Sequence, residues 1–356
     1  MTRKPPSASV TLEDVARVAG VSRATVSRVV NGRATVDPAL RSVVEQAIAA
    51  TAYVPNRAAR SLVTGSTGSI ALVVSEEGRQ TAQRHPADET HPSFAGRIFT
   101  DPFFGRVVGG VMGEIRPRGV QMVLLLVDDE QSRRQLLNYL RQGHVDGVVL
   151  ISTHAEDPLP EWLADARVPA VMSAQPVRPV PIGWVEVDQR GGVGLAVDHL
   201  VAGGRRRIAT VTGPLDTPAA RERLAGFRER LAGHGLAPAA EVEGDFTQAG
   251  GAVAMRRLLE LAPKADAVFV ASDLMALGAL PVLHRSGRRV PADVAVVGFD
   301  DSSAALACDP PLTTVRQPVE EMSARMVRLL LDRLADPAAE PLSAWFSASL
   351  VVRDSA

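Results

Sequence analysis

Residues 11–31 read TLEDVARVAGVSRATVSRVVN, and this stretch decides how the chain begins to fold. Thr11 and Asp14 fit a capping box, in which a hydroxyl and a carboxylate satisfy the first backbone N–H groups of a helix. Apolar residues then recur at helical spacing until Gly20 interrupts them, and Ser22 offers a second N-cap. The stretch therefore predicts two short helices joined by a tight turn.

The second predicted helix has one apolar face, formed by three valines, and one mostly polar face. The polar face carries Arg23, Ala24, Ser27 and Arg28. A recognition helix enters the major groove of DNA with its N-terminal turns first, where Arg can pair bidentately with guanine. The residues on this face are typical of a helix that binds in a major groove. An ordinary amphipathic helix pair would, however, show the same spacing.

A third helix is predicted to follow, because Asp37 and Pro38 form an N-cap and first-turn pair. Its apolar stripe consists of Leu40, Val43, Val44, Ala47 and Ile48. Three such helices can close a small hydrophobic core. We therefore expect an independent helical head at the start of the chain.

Six blocks along nearly the whole chain carry a family resemblance. They are TLEDVARVAGVSRATVSRVVN from residue 11, YVPNRAARSL from 53, GPLDTPAARERLAGF from 213, SDLMALGAL from 272, DVAVVGFDD from 293 and PPLTTVRQP from 310. In this order they resemble the LacI/GalR (lactose-repressor) family of bacterial transcription regulators. The resemblance implies a homodimer that binds double-stranded operator DNA and a small-molecule effector, which we expect to be a sugar.

The resemblance also assigns the DNA contacts. The residues it implies are Thr11, Ser22, Arg23, Ala24, Thr25, Ser27, Arg28, Asn31, Tyr53, Asn56, Ala59 and Leu62. In the family, the segment after the head is a hinge helix that orders on operator DNA. Leu62 would then insert into the minor groove, and the small Ala59 would let two hinge helices approach closely. A plain linker is the alternative interpretation of this segment.

Composition and charge agree with a soluble protein of several domains. The chain has 356 residues, of which 46% are hydrophobic, and its net charge is −1. Residues 1–68 hold nine Lys and Arg against four acids, giving +5, and the remainder holds 30 against 36, giving −6. A basic head on an acidic body suits phosphate binding by the head alone.

Several classes of site and location are excluded by simple counts. Cys308 is the only cysteine, which rules out an intrachain disulfide and a cysteine-based zinc site. The start of the chain lacks the apolar segment of a signal peptide, and no run of about 18 apolar residues exists. We therefore expect a cytoplasmic protein with no membrane partner, no metal and no cofactor. The final strand, SASLVVRDS, leaves no room for a tetramerisation tail, which favours a dimer.

Beyond the head, apolar strands alternate with helical segments, as in parallel sheets covered on both faces. The strand-like runs are SIALVVS, VQMVLLLV, DGVVLIS, VPAVMS, RIATVTG, ADAVFVAS and DVAVVGF. The predicted fold is an all-α helix-turn-helix head plus an α/β periplasmic-binding-protein-like effector domain of two doubly wound parallel-sheet lobes. We place lobe one at 69–173 plus 300–332, and lobe two in the middle and the final strand.

The predicted domain boundaries follow from these patterns. They are a disordered arm at 1–10, a helix-turn-helix domain at 11–55, a hinge helix and linker at 56–68, and a two-lobed effector-binding and dimerisation domain at 69–356. One departure from the family is a polar stretch of 23 residues at 78–100. Because it is polar and long, we expect it to lie outside the packed core, as a lid, an interface loop or a disordered segment.

Candidate effector-binding residues lie at strand ends and in the loops that follow, where open α/β sheets bind ligands. They are Phe103, Phe104, Ser173, Asp188, Arg223, Phe246, Ser272, Asp273 and Asp300. Arg223 and Asp300 match family positions that bind polar groups of the ligand, and the aromatic rings suit stacking on a sugar face or a base. Core packing is the alternative for the three phenylalanines, and helix capping is the alternative for Ser173, Asp188, Ser272 and Asp273.

The identity of the effector and the class of the protein leave alternatives open. Ser173 and Ser272 stand where the family's namesake has a carboxylate and an amide, so the effector need not be a galactoside; a nucleobase or a sugar phosphate remains an alternative. Glu186 aligns with an aromatic residue of that relative. A sugar-transport protein is disfavoured by the basic head, and an enzyme by the absence of P-loop, G-x-S-x-G and H-E-x-x-H motifs.

Overall fold

The computed structural model describes residues 10–30, 36–53, 65–76, 94–152 and 154–356. Contacts between residues divide the chain after Gly68 into two units, each with its own hydrophobic core. The first unit is helical and the second is α/β. No helix among the described residues is long and apolar enough to cross a membrane.

The first unit contains the predicted helix pair and a third helix. These are α1 (Leu12–Ala19), α2 (Arg23–Val30) and α3 (Pro38–Thr51). The capping box at Thr11 is present, and the turn after α1 passes through Gly20 at φ 64°, a left-handed conformation that glycine adopts without strain. The backbone N–H of Thr25 donates to Ser22 Oγ over 3.1 Å. The helix-turn-helix prediction is therefore confirmed.

The core of the first unit is small and is centred on Val15, Val26 and Val44, which are fully buried. The predicted stripe of α3 is only partly correct, because Leu40 and Val43 are 40% and 44% exposed. Two helices of eight residues each are too short to cover the whole apolar stripe of a 14-residue helix.

The second unit contains twelve strands and ten α-helices among the described residues. The strands are β1 (Ser69–Ser75), β2 (Gln121–Val127), β3 (Gly147–Ser152), β4 (Ala170–Ser173), β5 (Gly183–Val187), β6 (Ile208–Thr212), β7 (Glu241–Glu243), β8 (Ala267–Val270), β9 (Ala295–Asp300), β10 (Thr313–Arg316), β11 (Ala344–Phe346) and β12 (Ser349–Val351). The helices are α4 (Phe94–Thr100), α5 (Pro102–Ile115), α6 (Glu130–Arg141), α7 (Leu159–Asp165), α8 (Gln189–Ala202), α9 (Pro218–Gly233), α10 (Gln248–Leu261), α11 (Asp273–Arg285), α12 (Ser303–Ala307) and α13 (Val319–Ala335).

Two six-stranded sheets organise this unit, and each defines one lobe. The sheet of lobe one has the order β11-β5-β4-β3-β1-β2, and the sheet of lobe two has the order β12-β10-β9-β8-β6-β7. All neighbouring strands pair in parallel except β12, which is antiparallel to β10. Every residue of β1 is buried, as expected for a strand whose sheet is covered on both faces. The predicted fold class is confirmed.

The predicted boundaries of the lobes were wrong in two places. Strand β5 pairs with β4 and so belongs to lobe one, which therefore extends to Val187. Strand β10 pairs with β9 and belongs to lobe two, and the return to lobe one comes only with α13, which packs on α5 and on β3, β4 and β5. The chain thus crosses between the lobes three times, near Asp188, Gln317 and Ser347.

The polar stretch at 78–100 also contradicts the prediction at its C-terminal end. Residues 94–100 form α4, whose Phe94 and Ile98 are buried in the core of lobe one. Arg97 Nη2 lies 2.6 Å from Glu76 Oε2, which fixes the helix against the end of β1. These two apolar residues, one helical turn apart, pack this helix on the core of lobe one. The sequence analysis grouped them with the polar residues that precede them.

Candidate functional site

The first candidate surface is the polar face of α2. Arg23, Ala24 and Arg28 are exposed on it, as predicted, and Ser27 is half-buried. Arg23 Nε forms an ion pair with Glu13 Oε1 over 2.9 Å in a position where both side chains are mostly exposed. The hydroxyls of Ser22 and Thr25 lie 2.9 Å apart in a hydrogen bond. The face thus offers two arginines and a polar N-terminal turn to solvent.

The remaining predicted DNA contacts fall into two groups. Thr11 donates from its backbone N–H and its hydroxyl to Asp14 Oδ2, and these bonds lower the pKa of Asp14 to about 2. Tyr53 packs partly against the core of the head. Four predicted contacts lie outside the described residues: Asn31, Asn56, Ala59 and Leu62.

The second candidate site is a buried polar cluster where the two lobes meet, and Arg223 of α9 is at its centre. Its guanidinium lies over the ring of Phe299, with Cζ 3.7 Å from the ring centroid. Arg223 Nε donates to Gln189 Oε1 over 2.8 Å, and Nη1 donates to the carbonyl of Ala271. Nη2 lies 3.7 Å from Asp300 Oδ1. Arg223 and Asp300, the two residues predicted to hold the effector, thus lie close together.

Asp300, at the end of β9, is one of the points where lobe two contacts lobe one. Gln317 Nε2 donates to its carboxylate over 2.5 Å, and Arg106 Nη1 of α5 donates to its backbone carbonyl over 2.6 Å. Arg106 also forms an ion pair with Glu320 over 2.8 Å. Asp300 has φ 119°, a conformation that non-glycine residues rarely adopt and that tends to occur at functional sites.

Four carboxyl groups act on the charge of Arg223: Asp300, Asp273, Glu186 and Asp101. Asp273 accepts from Thr314 Oγ1 over 2.5 Å and from the backbone N–H of Ser302 over 2.7 Å. Burial, together with the charge of Asp300, raises the pKa of Asp273 to about 8 and that of Asp101 to about 7. Burial also raises the pKa of Glu186 and that of Asp300, although Arg223 opposes this shift at both.

The other predicted effector residues cap helices or pack against neighbouring groups. Asp188 and Ser272 each accept a backbone N–H at a helix start, so the capping alternative describes both. Phe246 has φ 63°, and its ring covers Gly213, where an added Cβ would lie 2.1 Å from Phe246 Cζ. Phe103 and Phe104 form an edge-to-face pair with centroids 5.3 Å apart, partly packed on the core of lobe one.

Ser173 does not join the cluster around Arg223 but lines a separate cavity of about 80 Å³. This cavity lies at the C-terminal ends of β3 and β4, and Pro218 of lobe two also lines it. At the same place His154 Nδ1 lies 3.3 Å from Asp216 Oδ2, and the backbone N–H of Ala155 donates to the carbonyl of Asp216. Both contacts join a loop of lobe one to a loop of lobe two.

Sequence reasoning missed some members of the cluster. Asp101 precedes Pro102, and an Asp-Pro pair indicates only a helix start, which Asp101 does provide by accepting from the backbone N–H of Phe103. Gln317 stands in the block PPLTTVRQP and was available to the same argument that selected Asp300. Arg106 lies within a helix, where the sequence alone did not show that it reaches Asp300 in the other lobe.

Comparison with known proteins identifies the chain. Residues 11–56 match the family described as bacterial regulatory proteins of the lacI family, and residues 197–356 match a periplasmic binding protein-like domain. The HTH-type transcriptional regulator CelR of Thermobifida fusca is 46% identical over 350 residues, which are 97% of this chain and 98% of CelR. The chain belongs to the LacI family. It is a transcriptional regulator, as are the family members that it matches.

Two solved structures of LacI-family proteins match this chain over almost its whole length. A complex of the transcriptional regulator CelR with cellobiose is 44% identical, with a TM-score of 0.73, and the match covers 98% of this chain and all of that chain. The lac repressor dimer bound to operator and an anti-inducer is 31% identical, with a TM-score of 0.81, and the match covers 98% and 99%. The matched length includes both the head and the two-lobed unit.

Proposed function

We propose that this LacI-family regulator acts in the cytoplasm as a homodimer that binds a palindromic operator. One recognition helix reads only a half-site, so a two-fold symmetric pair of heads is needed for a complete operator. The base-reading surface is the exposed face of α2, with the phosphate contacts supplied by the basic head. In this proposal Leu62 inserts into the minor groove of the operator, and the small Ala59 allows two hinge helices to approach each other. The lac repressor dimer on its operator supports this arrangement.

We further propose that a neutral sugar, bound where the lobes meet, changes operator affinity. Arg223 and Asp300 are the main contacts, with Asp101, Glu186 and Asp273 around them. A ligand that touches both lobes has different affinities for different lobe arrangements, which is what a regulatory effector requires. The complex of CelR with cellobiose supports the choice of a saccharide.

The observation that carries this proposal is that four carboxyl groups act on the charge of a single guanidinium group, that of Arg223. The charges of four acidic side chains act on Arg223, and the pKa values of Asp101 and Asp273 are raised by burial and by the charge of Asp300. A sugar phosphate would add negative charge to a buried site that already disfavours it. A neutral sugar presents hydroxyl groups, which can both donate to carboxylates and accept from Arg223.

The direct test is calorimetric titration of the full chain with cellobiose, followed by an operator shift assay with and without the sugar. We expect Asp300→Asn to reduce sugar affinity about tenfold to a hundredfold, since loss of a buried hydrogen-bonding partner costs ~1–3 kcal/mol. Operator binding without sugar should remain. Glu130→Gln, on the exposed surface of α6, is the control. Unchanged sugar affinity in Asp300→Asn would place the effector elsewhere.

A further inference from the structure

One arginine of lobe one holds the end of strand β9 in lobe two. Arg106 is on α5, and its Nε and Nη2 each donate to a carboxylate oxygen of Glu320 over 2.8 Å. Nη1 donates to the carbonyl of Asp300 over 2.6 Å, and Nη2 also donates to the carbonyl of Gln317 over 3.0 Å. Four of the five N–H groups of the guanidinium are therefore engaged, in a side chain that is only 15% exposed.

These hydrogen bonds act on Asp300 from two directions. The first is direct, through the backbone carbonyl of Asp300. The second goes through Gln317, whose backbone carbonyl accepts from Arg106 and whose Nε2 donates to Asp300 Oδ1 over 2.5 Å. Asp300 Oδ1 is also the oxygen that lies 3.7 Å from Arg223 Nη2. Arg106 therefore helps to fix the carboxylate oxygen that is nearest to Arg223.

The backbone at the end of β9 has a conformation that needs such support. Asp300 has φ 119° and Asp301 has φ 52°, and residues other than glycine rarely adopt these angles. A residue in such a conformation persists only where its surroundings determine it. Within lobe two, Arg353 Nη2 donates to Asp301 Oδ1 over 2.5 Å. Because Arg106 holds the carbonyl of Asp300, the conformation also depends on lobe one.

Glu320 anchors the guanidinium of Arg106 in lobe one. It lies in the first turn of α13, the helix that packs on α5, and it accepts from Arg106 in the bidentate geometry typical of arginine and carboxylates. The hydrogen bond from Arg106 lowers the pKa of Glu320, which favours the charged pair. A lysine cannot reproduce this pattern, since its ammonium presents three donors from a single atom. The geometry of the guanidinium, and not only its charge, is thus used here.

We propose that Arg106 is a positioning residue of the effector site, which places the carboxylate of Asp300 and links it to the packing of α5 on α13. This inference rests on the proposed sugar-binding function and adds to it a residue that acts through Asp300. Arg106 belongs to lobe one and Asp300 to lobe two. A lobe arrangement that moves Arg106 therefore alters the sugar contact at Asp300, and this gives the sugar different affinities for different arrangements.

The test is calorimetric titration of cellobiose into the full chain and its variants. We expect Arg106→Lys to weaken cellobiose binding about tenfold, as for the loss of one hydrogen bond to a buried group. Glu320→Ala keeps the charge of Arg106 but removes its anchor, so it should weaken binding severalfold. Arg328→Lys is the matched control, because Arg328 Nη1 donates to Glu114 Oε2 over 2.8 Å between the same two helices. It should leave cellobiose affinity unchanged.

A double variant separates positioning of Asp300 from general destabilisation. In an Asp300→Asn background, Arg106→Lys should weaken binding clearly less than it does in the wild type, since residues that act as a unit have non-additive effects. Thermal unfolding shows whether each variant is folded, and Glu320→Ala, at a partly exposed residue, carries the test if Arg106→Lys does not fold.

The outcomes separate this inference from the proposed function. Unchanged affinity in Arg106→Lys or in Glu320→Ala, an equal loss in Arg328→Lys, or fully additive losses in the double variant would overturn the role of Arg106 while sugar binding stands. If the wild-type chain itself does not bind cellobiose, the proposed function fails, and the inference fails with it.

Discussion

Asp101 is a residue through which the cluster responds to pH. It accepts a backbone N–H as the N-cap of α5, yet burial and the charge of Asp300 raise its pKa from 3.8 to about 7. The folded protein therefore retains a proton on Asp101 between about pH 4 and 7, where the unfolded chain has lost it. The contribution of protonated Asp101 to stability is consequently lost as the pH rises through this range.

The variant Asp101→Asn tests this linkage, because asparagine keeps the helix cap and stays neutral at every pH. We expect the two-lobed unit to be stabilised by about 1–4 kcal/mol relative to wild type at pH 8 and by less than half of that amount at pH 5. Thermal unfolding at both pH values measures the difference. Asp129→Asn is the control, since Asp129 also caps a helix but is exposed and has a lowered pKa. Its effect should be equal at pH 5 and pH 8.

A second prediction at the scale of single residues concerns Arg28 in the head. It is exposed on the polar face of α2, and a guanidinium there can pair bidentately with guanine. Arg28→Ala should weaken specific operator binding by ~1–3 kcal/mol and non-specific DNA binding much less. Titrations against operator and scrambled duplexes at fixed salt measure both. Arg134→Ala, on the exposed surface of α6, removes the same charge outside the head and should change neither. An equal loss on both duplexes would make Arg28 a phosphate contact.

At the scale of single residues, sequence reasoning selected side chains that stand in recognisable blocks and passed over a side chain whose presence a helix cap already explains. Arg223 and Asp300 were found because they stand in recognisable blocks. Asp101 was missed because its capping role explains its presence completely, and only its position near Asp300 in the folded chain reveals the second role. Leu40 and Val43 were misassigned because helical spacing shows which face is apolar, and not how much of it a neighbour covers.

At the scale of elements, the contact between α5 and α13 depends on a glycine. A Cβ added at Gly110 would lie 2.4 Å from the carbonyl oxygen of Glu320, so the two helices pack backbone to backbone at this point. The same contact positions Arg106 against Glu320 and against the carbonyl of Asp300. Close helix packing in lobe one therefore supports the site where the lobes meet.

Gly110→Ala and Gly109→Ala make a matched pair on α5. Gly110→Ala should destabilise the two-lobed unit by ~1–3 kcal/mol, because the added methyl group has no space. Gly109→Ala should stabilise it by up to ~1 kcal/mol, since nothing lies within 4 Å and alanine favours the helix. Denaturant unfolding of both variants measures the opposite signs. Equal effects would show that α5 and α13 are not in close contact.

The elements that sequence reasoning found and missed differ in length and burial. Strand β1 was predicted because seven buried residues in a row leave a clear apolar pattern. Strands β7 and β11 have three residues each and are only partly buried, so they have no pattern of their own. The lobe to which β5 and β10 belong depends on which strand each one pairs with, and local sequence does not encode that partner.

At the scale of the whole molecule, operator and sugar are coupled by thermodynamic linkage. If the sugar changes operator affinity by some factor, the operator must change sugar affinity by the same factor. We expect light scattering to give twice the chain mass, and titrations of cellobiose into free and operator-bound dimer to differ by that shared factor. A control duplex without operator sequence should leave sugar affinity unchanged. A monomer or a tetramer would contradict the proposed dimer, and unequal factors would show that the two assays do not observe the same two-state equilibrium.

The three crossings between the lobes have a consequence for the order in which the chain can fold as it is synthesised. Lobe one needs α13, which buries Val319, Met326 and Leu330 against its sheet and α5, and this helix is made only after β6–β10 of lobe two. Its edge strand β11 and the edge strand β12 of lobe two then follow within eight residues, 344–351. At about 5–20 residues per second, a ribosome spends several seconds on residues 188–318 while one face of the first sheet lacks its helix. The two lobes therefore reach completion together, once β11 and β12 have been made, and not one after the other.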